Sequence, residues 1–543
     1  MTPLHQFWPP ELAARYRAAG YWRGETFPAF LRERTAAHPD RLAVIGGPHR
    51  WTYAELLARS EAAAAGFLAL DLRPGDRVVV QLGNIPEFFP AVFGLFLAGL
   101  VPVFTLPAHR ITEIAHLAAR SEAAAFVAAE RGPDSFDYRT LARDLQKAVP
   151  AIRHVLLIGD DPAEFTAFAT LDGDRSALPE DPAPSAVAFL QISGGTTGMS
   201  KLIPRTHDDY IYSFRASNEI CGISADSVFL VALPAAHNFT MSSPGHMGAL
   251  YAGARVVLCP TPSPETAFAL IEAERVTHTG LVPPLALLWT EAAARTKRDL
   301  SSLQVLLVGG AKLTPEAARR VQPALGCRLQ QVFGMAEGLV NYTRLDDPDA
   351  VILETQGRPI SPDDEVLVVD DNGDPVPDGE PGHLLARGPY TIRAYHDDPA
   401  ANARSFTADG FYRTGDIVKR TPDGYLVVQG RAGDHINRAG EKISAEEMED
   451  HLLAHPAIFD AAVVSVPDPA LGEGSCAFVI PRAGQAPRPA AIRAWMRTRG
   501  IADFKVPDRV VLVDSFETTA AGKISRKELR ARLRAKLMAE DAT

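Results

Sequence analysis

The stretch Ser193-Gly194-Gly195-Thr196-Thr197-Gly198-Met199-Ser200-Lys201 concentrates groups able to hold an anion. Its three glycines permit sharp turns and bring amide N–H groups close to a ligand. Thr196, Thr197, Ser193 and Ser200 add hydroxyl donors, and Lys201 adds a positive charge. That is the donor set of an oligophosphate cradle. It is not a Walker A loop, because the Gly-Lys-Ser/Thr adjacency is missing. A plain glycine-rich surface turn would need neither the hydroxyls nor the lysine. A second cluster follows at His237, Asn238, Phe239 and Ser243, where an imidazole, an amide, a ring and a hydroxyl lie within seven residues. A lone histidine is more often a satisfied surface or core residue. His237 stands out as a catalytic candidate only through its place in the fold.

That place follows from the elements around it. Ala186 to Ile192 is a short apolar run that reads as a buried strand feeding the glycine-rich loop. Ser227 to Leu233 reads as another, ending at Pro234 just before His237, and ligands of open α/β sheets sit at the carboxyl ends of strands. Arg255–Leu258, Leu303–Val308 and Gln330–Phe333 continue the series; the last two run into Gly309-Gly310-Ala311-Lys312 and Gly334-Met335-Ala336-Glu337-Gly338-Leu339-Val340-Asn341. Earlier, the helical spacing of Glu55–Ala69 alternates with strand-like Arg77–Leu82, Val101–Leu106 and His154–Gly159, which argues for parallel α/β architecture. From Glu365 the pattern changes to antiparallel hairpins, with an Asp371-Asn372-Gly373-Asp374 turn. Near the end, Ser444 with Glu447 three residues on reads as a helix cap.

Bulk properties exclude several classes. At 543 residues the chain is too long for a single core. It is 46% hydrophobic and 22% charged, ordinary for a globular protein, and its net charge of −11 without a basic block disfavours nucleic acids and anionic membranes. Cys221, Cys259, Cys327 and Cys476 are too scattered for a metal site and read as reduced thiols of a cytoplasmic protein. The N-terminus lacks the layout of a signal peptide. Phe88 to Ala108 carries no charge, but Pro90, Pro102 and Pro107 break it, so a buried helix followed by a strand fits better than a membrane span.

The loop Ser-Gly-Gly-Thr-Thr-Gly-x-x-Lys resembles the phosphate loop of the adenylate-forming superfamily, with Ser200 where proline usually precedes the lysine. Further motifs follow in the superfamily's order: the Gly309–Lys312 turn, Phe333-Gly334-x-x-Glu337, the segment ending in Thr414-Gly415-Asp416, Gly430-Arg431, and Ala521-Gly522-Lys523. The resemblance implies ATP and Mg²⁺. Phe333 would face adenine beside Gly310, Ala311 and Gly334; Asp416 and Arg431 would hold the ribose, and Glu337 the metal. It implies an α/β fold: a large N-terminal domain, residues 1–432, of parallel and mixed sheets with helices and a small β-barrel-like subdomain, plus a small mobile α+β C-terminal domain, residues 433–543. Gly433 would be the hinge, where the superfamily usually carries Asp or Lys, and glycine permits nearly any backbone angle. Lys523 would be the catalytic lysine of adenylation, and Lys442 would face the site for the second half-reaction.

His237-Asn238-Phe239-x-x-Ser242-Ser243-Pro244-Gly245 and Gly334–Asn341 further resemble the free-standing aryl-acid adenylating enzymes of siderophore synthesis. On that resemblance Phe239 stacks on an aromatic acid, Gly309 and Gly310 leave a flat slot, Val340 closes it, and Asn238 bonds a 2-hydroxyl. A neutral amide at Asn238 suits an acid without an α-amine. Ser243 favours 2,3-dihydroxybenzoate over salicylate, although Phe239 stands where those enzymes usually carry tyrosine. The acyl group would pass to the phosphopantetheine thiol of an aryl carrier protein in trans, since the chain ends 20 residues beyond Lys523. An aryl-CoA ligase differs only in its thiol partner. A non-catalytic nucleotide sensor would not need Lys201, Glu337, Asp416, Arg431 and Lys523 together.

Overall fold

Apolar β-branched runs build two large sheets that enclose a layer of helices. The computed structural model describes residues 2–5, 8–132, 135–193, 200–432, 436–438, 441–468, 472–499, 501, 503–519, 524–526 and 528–533. One sheet has seven strands, in the order Thr166–Ala167, His154–Ile158, Ala125–Ala129, Arg77–Gln81, Val101–Phe104, Val187–Ile192 and Leu202–Thr206. All neighbours are parallel except the last pair, an antiparallel hairpin. The other has nine strands, with a parallel centre of Arg328–Gly334, Val305–Gly309, His278–Leu281, Val228–Val231, Arg255–Leu258 and Leu42–Gly46. Antiparallel strands close both of its edges. Every residue of Arg77–Gln81 and of Val305–Gly309 is buried, as expected of strands covered on both faces.

Between the sheets lie the helices Phe27–Ala37, Tyr53–Ala69, Phe88–Leu97, His207–Cys221 and Gly245–Tyr251, whose side chains join residues of both sheets in one core. Thr52 starts Tyr53–Ala69 with a reciprocal cap through Glu55. The uncharged stretch from Phe88 is a wholly buried helix followed by the strand Val101–Phe104; Pro107 and the residues before it leave the sheet at Thr105. Among the described residues no helix is long and apolar enough to cross a membrane. Its aromatic side chains explain the burial: Phe27 stacks on Phe96 at 4.5 Å, and Phe189 meets Tyr210 edge-on at 4.7 Å. All four cysteines are buried and free.

A four-stranded antiparallel sheet, Glu365–Val369, Pro381–Arg387, Tyr412–Arg420 and Leu426–Arg431, forms the subdomain. Asp370 accepts from Asn372 and Asp374 and so makes its turn, with Gly373 at φ +92°. The small C-terminal domain has its own sheet, with Ile458–Asp468 antiparallel to Gly472–Pro481, and its own core around Ile436, Met448 and Ile492. Ser444 caps the helix Ala445–Leu453 by accepting from Glu447 N. That helix meets Pro315–Leu325 of the large domain, where Arg320 donates to Leu453 O at 2.7 Å and Glu316 N donates to Asp450 at 3.2 Å. Gly433 lies outside the described residues.

One ion pair locks the hairpin to the rest. Arg205 Nε donates to Asp209 Oδ1 at 2.7 Å, and their side chains are 2% and 0% exposed. Arg205 also donates to Ala336 O at 2.7 Å and Tyr390 O at 3.1 Å, while Asp209 accepts from Thr206 at 2.7 Å. Removing one partner of a buried pair leaves an uncompensated charge, at about 3–5 kcal/mol. Arg205→Met is therefore expected to lower unfolding free energy in urea by about that much, and the double variant Arg205→Met/Asp209→Leu to recover a large part. A loss below about 1 kcal/mol in the single variant would show that the pair is not the anchor.

Candidate active site

The strand ends of the nine-stranded sheet bring the predicted residues to one edge. His237 caps the short helix Asn238–Ser242, its Nδ1 accepting from Phe239 N at 3.3 Å. Asn238 Oδ1 accepts from the Tyr210 hydroxyl at 2.9 Å. Ser243 is buried beside Tyr342, whose hydroxyl donates to Ser217 Oγ at 3.0 Å. Val340 pairs with Gly334 across the edge hairpin, and its N–H donates to the Tyr390 hydroxyl at 3.1 Å. Tyr390 donates to Asp364 at 2.6 Å, whose carboxyl burial pushes up to about 7.

Gly309 does leave space beside the backbone, but the Phe239 ring fills it. A Cβ on Gly309 would lie 3.3 Å from Phe239 Cζ, and one on Gly280 at the same distance. A cavity of about 10 Å³ remains, lined in part by Phe239, Thr240, Ser243 and Gly280. Gly310 turns the chain away at φ +83°, and Lys312 fastens this turn to the antiparallel sheet by donating to Val428 O at 2.7 Å. Nothing in the weak strand text His278-Thr279-Gly280-Leu281 had singled out Gly280.

On the nucleotide side, Phe333 packs against the antiparallel subdomain and pairs with Asn341, whose side-chain amide donates to its carbonyl at 3.0 Å. Asp416 and Arg431 are register partners on adjacent strands and form an ion pair of 2.8 Å, with Asp416 5% exposed. Ser193 and Lys201 close the neck of the loop through two hydrogen bonds of 3.0 Å. Gly194, Gly195, Thr196, Thr197 and Gly198 lie outside the described residues, as does Lys523; Lys442 belongs to the strand Glu441–Ile443, and its side chain is not described.

Two tyrosines that sequence reasoning missed join these parts. Lys201 Nζ stands 5.1 Å over the ring of Tyr395, whose hydroxyl donates to Glu337 Oε1 at 2.8 Å. Tyr412 lies 3.2 Å from the Tyr395 hydroxyl. Burial, then the nearby Glu337 carboxylate, raises the pKa values of both phenols, so they stay neutral donors. Glu337 is 6% exposed, and its Oε2 takes no partner among the described residues. Beside Ser200 and Lys201 opens a cleft of about 270 Å³ that His116, Arg120 and His396 also line.

A loop neck with a lysine thus meets, through Tyr395, a buried carboxylate whose second oxygen takes no partner among the described residues, and an Asp–Arg pair lies on the antiparallel sheet. The family model "AMP-binding enzyme" matches residues 31–396, and "AMP-binding enzyme C-terminal domain" matches residues 447–523. The chain belongs to the AMP-binding enzyme family. It is 56% identical over 535 residues to the 2,3-dihydroxybenzoate-AMP ligase of Bacillus subtilis, covering 98% of both chains. Its identity to the salicyl-AMP ligase / salicyl-S-ArCP synthetase of Mycobacterium tuberculosis is 48%, over 96% of this chain and 93% of that one. Among solved structures, apo MbtA of Mycobacterium smegmatis is 50% identical with a TM-score of 0.75, over 97% of this chain and 98% of that one. The large α/β domain and small C-terminal domain are those of this family's fold.

Gly309 and Gly280 give a stability test of this AMP-binding fold's packed slot. Alanine at 309 would meet Val332 O at 2.9 Å and Val332 Cβ at 3.0 Å, so Gly309→Ala is expected to cost about 1–3 kcal/mol. Gly280→Ala meets only the Phe239 ring, which can shift, and should cost less than about 1 kcal/mol. Thermal unfolding of both variants checks this, and the reverse order would mean that the ring is the more rigid wall.

Proposed function

We propose that this enzyme activates an aryl acid with ATP, releasing pyrophosphate and forming aryl-AMP, with 2,3-dihydroxybenzoate favoured and salicylate next. One observation carries the reading: acid-side and phosphate-side groups hang on one hairpin and helix. Arg205 of the hairpin holds Ala336 O next to Glu337, and Tyr210 of the following helix holds Asn238. The names of the relatives support the substrate class, and siderophore assembly as its setting.

In this reading the substrate carboxylate attacks the α-phosphate of ATP, and pyrophosphate leaves toward Ser193 and Lys201. Gly194, Gly195, Thr196, Thr197 and Gly198 supply the cradle, Gly310, Ala311, Phe333 and Gly334 receive adenine, and Asp416 with Arg431 receives the ribose. Mg²⁺ fits the donor set, because Glu337 keeps a carboxylate oxygen for a hard cation, and bound there it would neutralise phosphate charge. Lys523 stabilises the charge that develops between carboxylate and phosphate. The small domain, residues 433–543, then turns about Gly433 and brings the Lys442 side to the site, where a carrier protein's phosphopantetheine thiol takes the acyl group. An aromatic acid enters the slot as the Phe239 ring leaves Gly280 and Gly309.

Acid-dependent exchange of pyrophosphate into ATP over a panel of acids tests the reading. Exchange with 2,3-dihydroxybenzoate and salicylate is expected; exchange only with aliphatic or amino acids would overturn it. Lys523→Ala should lose about 10²–10³ in aryl-AMP formation while largely sparing thioester formation from supplied aryl-AMP. Equal losses in both steps would make the lysine structural.

The choice between the two acids rests on Ser243. A buried hydroxyl stripped of its partner costs about 1–3 kcal/mol, or roughly 5- to 150-fold. Tyr342 lies beside Ser243 and can take up its hydroxyl when the 3-hydroxyl is missing, so the low end of that range is expected in kcat/KM. Ser243→Cys should shrink the preference, and an unchanged ratio would remove Ser243 from the acid's surroundings.

A further inference from the structure

Asn238 can present either end of its amide to the acid slot, and which end it presents decides what it reads. Its carbonyl end is engaged by the Tyr210 hydroxyl at 2.9 Å. A phenol can donate or accept, so the amide is fixed only if Tyr210 is held as a donor. One neighbour and its own burial hold it so. The guanidinium of Arg205 lies 4.8 Å over the Tyr210 ring, and a buried cation there draws electron density from the phenol oxygen. Tyr210 is wholly buried, so water does not compete for its proton.

We propose that Tyr210 is a positioning residue that fixes Asn238 with its NH₂ toward the acid, so that the slot accepts a 2-hydroxyl and rejects a 2-amino group. This rests on the aryl-acid reading above. In a 2-hydroxybenzoate the phenolic proton bonds the adjacent carboxylate, which leaves an oxygen lone pair facing outward as an acceptor. A 2-aminobenzoate spends one N–H on its carboxylate and turns the other outward, donor against donor. Loss of that hydrogen bond in a buried site is worth roughly 5- to 150-fold. The slot thus sorts acids by the polarity of one atom and not by size, since hydroxyl and amino groups are nearly isosteric.

The test is pyrophosphate exchange by the full-length enzyme with salicylate, 2-aminobenzoate and unsubstituted benzoate. Wild type should prefer salicylate to 2-aminobenzoate by at least about 5-fold in kcat/KM. In Tyr210→Phe the amide is free to turn, and the ratio should fall several-fold because KM for 2-aminobenzoate drops relative to that for benzoate. A merely structural tyrosine would weaken all three acids in proportion, and that result overturns the proposal. If Tyr210→Phe does not fold, the wild-type preference alone decides, and its absence overturns the proposal. A wild type that exchanges with neither these acids nor 2,3-dihydroxybenzoate brings down the aryl-acid reading itself, whereas equal use of salicylate and 2-aminobenzoate brings down only the role of Tyr210.

Discussion

A guanidinium sealed from water needs partners for its N–H groups, and Arg205 gives three of them to groups that define the site. It pairs with Asp209, carries Ala336 O beside Glu337, carries Tyr390 O, and covers the Tyr210 ring. Such a pair contributes little net stability compared with apolar residues of the same volume. Its value is geometric. A hydrophobic contact tolerates sliding, whereas a rigid fork with three placed donors restricts the arrangement of hairpin, helix and Glu337 loop.

The residues that could be read from the sequence are those whose chemistry is local. The glycine-rich loop and the aromatic-Gly-x-x-Glu segment announce themselves through neighbours in the chain, and the strands before them announce themselves through apolar runs. Asp416 and Arg431 were legible as motifs, but their pairing appears only when two antiparallel strands set them opposite each other. Tyr395 was not legible, because the carboxylate it serves is 58 residues away. Leu202–Thr206 hides its strand behind Pro204 and Arg205, both buried by tertiary contacts that no local pattern encodes. His278–Leu281 hides for the opposite reason: its glycine, which reads as a weak point, is what lets the Phe239 ring lie flat.

The two polar groups proposed to meet the acid each have a buried phenol behind them. Ser243 lies beside Tyr342, whose hydroxyl donates to Ser217, and Asn238 accepts from Tyr210, which in the proposed reading turns its N–H groups inward. In that reading polarity is set one layer behind the residue that would meet the acid.

The ring of Phe239 on Gly280 and Gly309 bears on how binding should look in a calorimeter. A slot left open to water would release that water on meeting an aromatic acid, with the negative heat-capacity change that marks newly buried apolar surface. Here one ring already shields the slot, and in the proposed reading the acid replaces it. Most of the apolar area is dry before the ligand arrives, so the heat-capacity change should be small for a ligand so fully enclosed, with affinity resting on hydrogen bonds and therefore on enthalpy.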